Sequence, residues 1–182
     1  MSTVAEELAA SRSRLLGSVA SLSQEDLDFS PSADRWSAGE ILHHVRLVEA
    51  SVTRVLDKLA ARAKETGVPA DAGADGAENV ILHSLDRFDI ESATDRITAP
   101  ASLVPTKGMT ARELLDGLAG TRAALMTVLD KCNRFDLTKV LFPHMVFGKL
   151  DGYQWALFAA KHEERHRRQI EKLKGVRSGG RP

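Results

Sequence analysis

The stretch Asp151–Gln169, DGYQWALFAAKHEERHRRQ, decides how the chain reads. Asp151 stands three residues before Gln154, the spacing of a capping box, in which a short polar side chain bonds the N3 amide and the Glu or Gln reaches back. Projected at 100° per residue with His162 at zero, Trp155, Phe158, Ala159, His166, Gln169 and, further on, Leu173 fall within about 60° of it. Lys161, Glu164, Arg167, Arg168 and Glu171 fall on the other side, as charges do on a bundle helix. His162 and His166 therefore point inward.

The same start signal recurs at Thr3–Glu6, Ser37–Glu40 and Thr110–Glu113, each before an apolar period. The spacing predicts helices over about residues 3–22, 37–65, 110–132 and 151–174. Between them, 23–36 reads as a polar loop and 67–77 (GVPADAGADGA) as a flexible link of turn formers. Ile81, Leu82, Leu85 and Phe88 recur at helical spacing and predict a short extra helix or ordered segment between the second and third long helices. Residues 133–150 are apolar for a loop and read as packed. No internal repeat of obvious similarity stands out, and strand signals are nearly absent. The fold class is all-α, an up-down four-helix bundle over residues 1–176 with a disordered tail at 177–182.

Composition excludes several functions. Lys plus Arg and Asp plus Glu number 25 each, for a net charge of zero, so nothing favours an electrostatic grip on nucleic acid or an anionic membrane. No apolar run approaches the roughly 20 residues of a membrane-spanning helix. The N-terminal stretch MSTVAEELAASRSRLL lacks the basic and apolar regions of an export signal, and Cys132 has no partner for an internal disulfide. Cytoplasmic residence is the expectation.

On the second helix, His44 falls in the middle of Ile41, Leu47, Val48, Val55 and Leu59, whereas His43 lies 100° away toward solvent. A lone inward histidine is usually a hydrogen-bonded core residue. Three alter that reading, because imidazoles at i and i+4 lie about 6 Å apart on one face and can converge on one ion. Charged imidazoles in an apolar stripe would repel, and a divalent cation held by neutral ones removes the conflict. Three neutral ligands, His44, His162 and His166, leave a coordination position open for a water or thiolate. Imidazole suits zinc, nickel and iron alike.

The first five residues of HEERHRRQ also match H-E-x-x-H, the zinc signature of one protease class. Those enzymes need a third ligand downstream, and the sixteen residues after His166 hold no His, no Asp and one Glu, Glu171, which projects away. The protease reading fails on that count. Glu163 is left as a rim residue, a support for the ligands or a base.

LSQEDLDFSPSADRWSAGEILHHV, followed later by PHMVFGKLDGYQWALFAAKHEERHRRQI, resembles the DinB-like superfamily of four-helix bundles over roughly residues 10–175. In that family a Trp-Ser pair opens the second helix, a histidine eight residues after the Trp is the first metal ligand, and H-x-x-x-H-x-x-Q on the final helix supplies the others. Trp36-Ser37, His44, His162, His166 and Gln169 match those positions. The resemblance implies a divalent metal, often zinc or nickel, in a cleft at one end of the bundle and commonly a homodimer. It further implies either a transferase that activates a low-molecular-weight thiol or a metal-dependent hydrolase, with a small-molecule substrate.

Gln169, one turn past His166, reads as a hydrogen-bonding support for a ligand or as a polar residue at the bundle end. His144 reads as a border of the metal opening or as a packed loop histidine, and His83 as a surface group. Trp36 reads as a hydrophobic staple that also walls the cleft, Arg165 as a flank cation for an anionic substrate, and Cys132 as a buried bystander. Two functions follow: an enzyme using the metal against a small electrophile, or a non-enzymatic stress-response bundle that binds metal or a small ligand.

Overall fold

The protein, seen in a computed structural model, is described over residues 2–67, 82–92 and 98–179. Four long helices make the bundle: α1 (Ser2–Val19), α3 (Ala38–Thr66), α4 (Ala111–Cys132) and α5 (Gly152–Gly179), with a five-residue helix α2 (Gln24–Asp28) after the first. Capping chemistry sets their starts. Ser37 and Thr110 accept from the amides of Glu40 and Glu113, whose carboxylates bond back to the cap amides. Asp151 and Gln154 do the same at 2.8 and 3.1 Å, opening α5. The fourth expected cap differs, because α1 begins at Ser2 and Thr3 falls inside it.

Two connections and the C-terminal end depart from expectation. The loop at 23–36 contains α2, which carries its own capping box from Ser23 to Asp26. Residues 133–150 hold a 3-10 turn, Leu137–Lys139, and most of a two-stranded antiparallel hairpin, β1 (Leu141–His144) and β2 (Gly148–Asp151), paired Leu141 to Asp151 and His144 to Gly148. Its turn needs a positive φ of 75° at Gly148, where glycine carries no steric cost. Trp155 of α5 donates its indole N–H to the Phe142 carbonyl at 3.2 Å and pins the hairpin to the bundle. At the C-terminus the helix runs through Arg177, inside the expected tail, because Arg177 bonds Glu25 and Asp26 of α2.

In the middle segment, residues 82–83 are helical and a 3-10 turn follows at Asp86–Phe88; Leu85 is fully buried, and Leu82 and Phe88 pack on the core. The flexible link expected at 67–77 lies almost entirely outside the described residues, as does Ile81. Lys161 and Arg168 of α5 pair with Asp86 and Glu91 of this segment. The face of α5 expected to meet solvent is thus partly covered. Glu164 on that face is buried against Arg14, Arg167 and Arg168.

α1 packs along α5, α4 packs along α3, and α3 meets α5 across the centre. Between α1 and α4 runs a groove of about 660 Å³ lined by Leu16, Val19, Leu115, Leu118, Arg12 and Arg122. Two apolar clusters fill the bundle. One, toward the hairpin, includes Leu8, Val52, Leu56, Leu125, Leu129 and Trp155; the other, toward α2, includes Leu15, Leu42, Val45, Leu118 and Ile170.

The boundary between those clusters is ionic, with one charged side chain from each long helix. Arg12 of α1 donates to Glu163 of α5 at 2.5 Å and to Glu49 of α3 at 2.9 Å. Arg122 of α4 donates to Glu49 at 2.6 Å and to Glu163 at 2.8 Å. Each arginine also bonds a carbonyl of the opposite helix, Arg12 to Leu118 and Arg122 to Leu8. Ser11 donates to Glu163 and Thr121 to Glu49. The bonding pattern therefore has an approximate two-fold, exchanging α1 with α4 and α3 with α5. Leu8-Ala-Ala-Ser-Arg12 and Leu118-Ala-Gly-Thr-Arg122 are its matching segments, a short internal likeness.

Two glycines calibrate the packing. A Cβ on Gly152 would meet Leu137 at 2.8 Å, whereas one on Gly17 would meet nothing within 4 Å. Urea melts are expected to show Gly152→Ala destabilised by about 1–3 kcal/mol through overpacking. Gly17→Ala, in a helix interior, is expected to gain about 0.5–1 kcal/mol. Equal stabilities for the two variants would contradict this packing at the hairpin joint.

Candidate metal centre

Three histidines meet where α3 crosses α5. One ring nitrogen from each of His44, His162 and His166 lies within 4.8 Å of the other two. The ring centroids stand 4.4 Å apart for His162 and His166, and 5.2 and 4.9 Å from His44 to each. His44 and His166 are each only 6% exposed, while His162 is partly accessible. The i, i+4 spacing on α5 sets the first pair, and the crossing of α3 delivers the third.

Hydrogen bonds hold two of them by their outer nitrogens. His44 Nδ1 sits 2.7 Å from the Leu103 carbonyl, which can only accept, so the proton is on Nδ1 and the Nε2 lone pair is free. His166 Nδ1 is bonded to the Gln169 side-chain amide at 2.8 Å, which holds that ring with its Nε2 toward His162. His166 Nε2 and His162 Nε2 then confront one another at 3.1 Å. The fit to an ion is good. Three nitrogens of one tetrahedral zinc at 2.0–2.1 Å would stand about 3.4 Å apart, so sub-ångström side-chain shifts convert this cluster into a ligand set.

His43, beside His44, has a different environment. It is half-buried rather than solvent-facing, and its Nδ1 accepts the Thr106 amide at 2.9 Å. Adjacent histidines thus hold the same loop in opposite senses, His44 by donating and His43 by accepting. His83 stays at the surface, bonded to Asp86 at 2.7 Å.

The surrounding side chains form an aromatic wall. Trp36, at the entrance of α3, lies 4.8 Å from the His44 ring, and Phe158 lies 5.3 Å from His162. His144, on the hairpin, stacks on Phe147 at 4.6 Å and meets Phe158 at 4.7 Å, one ring removed from the cluster. Its Nδ1 accepts the amides of Val146 and Phe147, leaving the proton on Nε2. Arg165 is half-buried beside the cluster, and its charge bears on His44, His162 and His166. Cys132 is fully buried elsewhere in the core, and burial raises its thiol to about 11.

Glu163, the middle residue of the protease signature, faces the other way. It is 1% exposed, and both its oxygens are taken by Arg12, Arg122 and Ser11. A carboxylate so committed is a structural ion, not a base aimed at the histidines. Its partners lie on separate helices, but each carried a signal, since Arg12 and Arg122 interrupt Leu-rich stripes at helical spacing.

The arrangement is a four-helix bundle with a cluster of three histidines between its second and last long helices. By sequence the chain belongs to the DinB superfamily, whose model matches residues 7–170. It is 27% identical over 157 residues to the uncharacterized protein YuaE of Bacillus subtilis (strain 168), covering 84% of this chain and 86% of that one. The fold is also similar to the crystal structure of TT2238, a four-helix bundle protein, with a TM-score of 0.59 over 96% of both chains at 24% identity. Among the described residues no helix is long and apolar enough to cross a membrane.

Burial holds the imidazoles neutral. It lowers His166 to about 3, helped by His44 and opposed by the Gln169 bond, and it lowers His162 as well. Burial also lowers His144 from 6.5 to about 4. The unfolded chain therefore takes up protons first as pH falls, and stability present above about pH 6.5 is lost toward pH 4. Urea melts of metal-free protein across that window are expected to show a falling midpoint, with a shallower fall in His144→Phe. A flat profile would contradict neutral burial.

Proposed function

We propose that His44, His162 and His166 hold one divalent ion, zinc or nickel, through their Nε2 atoms, and that the protein is a metal-dependent thiol S-transferase or hydrolase acting on a small electrophile. The observation that carries the reading is the convergence of three ring nitrogens within 4.8 Å, with Leu103 and Gln169 holding the Nδ1 atoms of His44 and His166 on the far side. Such outward bonds are how proteins orient imidazole ligands. A bound ion would lower the pKa of a thiol or water that completes its coordination, making a nucleophile near neutral pH.

The chain's own residues would do the rest. His44, His162 and His166 supply no charge, so the ion keeps its full pull on the nucleophile. Trp36 and Phe158 shield the cluster and exclude bulk water from one side. His144, with its proton fixed on Nε2, is a neutral donor suited to a substrate oxygen. Arg165, half-buried at the flank, would orient an anionic group such as the carboxylate of a low-molecular-weight thiol. The family resemblance adds a homodimer, which sedimentation measures.

A second reading has one observation in its favour: the nearest carboxylate in the sequence, Glu163, is committed to arginines, which leaves no evident base. On that reading the bundle binds metal or a small ligand without turnover.

Assays of zinc- or nickel-loaded protein with low-molecular-weight thiols and small electrophiles separate the two. Thiol consumption is expected with wild type and at least 100-fold less with His162→Ala. Arg165→Ala is expected to raise KM for carboxylate-bearing thiols while keeping its metal. Full metal occupancy in His162→Ala would sink the ligand assignment. Absence of turnover in loaded wild type, with melting on chelation, would favour the binding reading.

A further inference from the structure

We infer that the ionic quartet Arg12–Glu49–Arg122–Glu163 is a positioning device for the three-histidine cluster, fixing the rotation of α3 and α5 so that their imidazoles face one another. The inference rests on the metal reading above.

The argument starts with which residues share a helix. Glu163 follows His162 directly, so the two side chains leave α5 about 100° apart. Glu49 lies five residues after His44, about 140° round α3. Each of the two histidine-bearing helices therefore presents imidazole to one side and carboxylate to another. α5 cannot roll without dragging His162 and His166 as well as Glu163. The same holds for α3 with His44 and Glu49.

The quartet resists such a roll from both sides. Glu163 is held by Arg12 from α1 at 2.5 Å and by Arg122 from α4 at 2.8 Å. Glu49 is held by the same two arginines at 2.9 and 2.6 Å. Ser11 and Thr121 fix one oxygen of each carboxylate from the third direction. The arginines are themselves anchored to the Leu118 and Leu8 carbonyls across the α1–α4 groove. Apolar residues at these four positions would pack with more than one rotation, because leucine contacts are not directional. Fork-shaped guanidinium bonds are directional and accept one.

Stability alone is a weak reason to keep these charges. Replacing a buried ion network by well-packed apolar groups is often neutral or stabilising, whereas removing one member is costly. A purely structural quartet would therefore be dispensable as a unit. A positioning quartet would not.

Zinc affinity, read by competition with a chromophoric chelator, tests this on four proteins: wild type, Glu163→Gln, Glu164→Gln and the fourfold variant Arg12→Met, Glu49→Leu, Arg122→Met, Glu163→Leu. Glu164 is the control, a buried carboxylate on the same helix that pairs with Arg14, Arg167 and Arg168. Glu163→Gln is expected to weaken zinc binding by 10- to 100-fold, the range seen for residues that orient ligands, with Glu164→Gln within about twofold of wild type. The fourfold variant is expected to fold, to melt no lower than Glu163→Gln, and still to bind zinc at least 10-fold more weakly than wild type. Wild-type affinity in folded Glu163→Gln or in the fourfold variant would overturn the inference while leaving the metal reading intact. A wild type that takes no zinc or nickel would defeat both.

Discussion

Four charges, three buried and Arg122 largely so, lie at the level where two apolar clusters meet and constrain everything else in this bundle. Each long helix contributes one, each arginine touches both glutamates, and each arginine also bonds a carbonyl of the opposite helix. Hydrophobic burial drives the collapse but has no direction, so leucine stripes alone leave helix rotation loosely specified. Directional ion pairs supply what the stripes lack. Their approximate two-fold also explains the packing order, with α1 on α5 mirrored by α4 on α3 and the two glutamate helices in contact at the centre.

That symmetry is broken where the chemistry sits. Both glutamate helices carry histidines, but α3 supplies one to the cluster and α5 supplies two, one helical turn apart. The loop after the middle segment completes the asymmetry by setting its Leu103 carbonyl on His44, while Gln169 serves His166 from within α5. Burial keeps the imidazoles neutral and the aromatic wall keeps them dry on one side. The cluster thereby combines properties a cation site requires: converging ring nitrogens, no competing protons near neutral pH, and outer bonds that hold each ring in place.

Much of this was legible in the chain. Capping boxes at Ser37, Thr110 and Asp151 placed three helix starts within one residue, because the reciprocal bonds depend only on local spacing. Helical projection separated His44 from His43 for the same reason. What escaped the reading is mostly long-range. Glu164 was set on the outer face by a single apolar stripe and Glu163 was left between rim, support and base, yet α5 is packed by α3, by α1 and by the 82–92 segment, so its buried arc is wider than one stripe. The hairpin at 141–151 is too short to alternate visibly, and its hold on the bundle comes from Trp155. The box at Ser23–Asp26 escaped because its N3 residue is Asp rather than the Glu or Gln of the rule used elsewhere, whereas Arg12, Arg122 and Glu49 were readable, each a charge set among leucines and valines.

The account stands or falls on the contrast between two adjacent histidines on α3, His44 in the cluster and His43 bonded to the Thr106 amide. Elemental analysis of untagged protein, purified without chelator, measures it directly for wild type, His43→Ala and His44→Ala. About one zinc or nickel per chain is expected in wild type and in His43→Ala, and almost none in His44→Ala, because only His44 turns an Nε2 lone pair toward His162 and His166. Equal metal in all three, or none in wild type after reconstitution, would contradict the three-histidine centre.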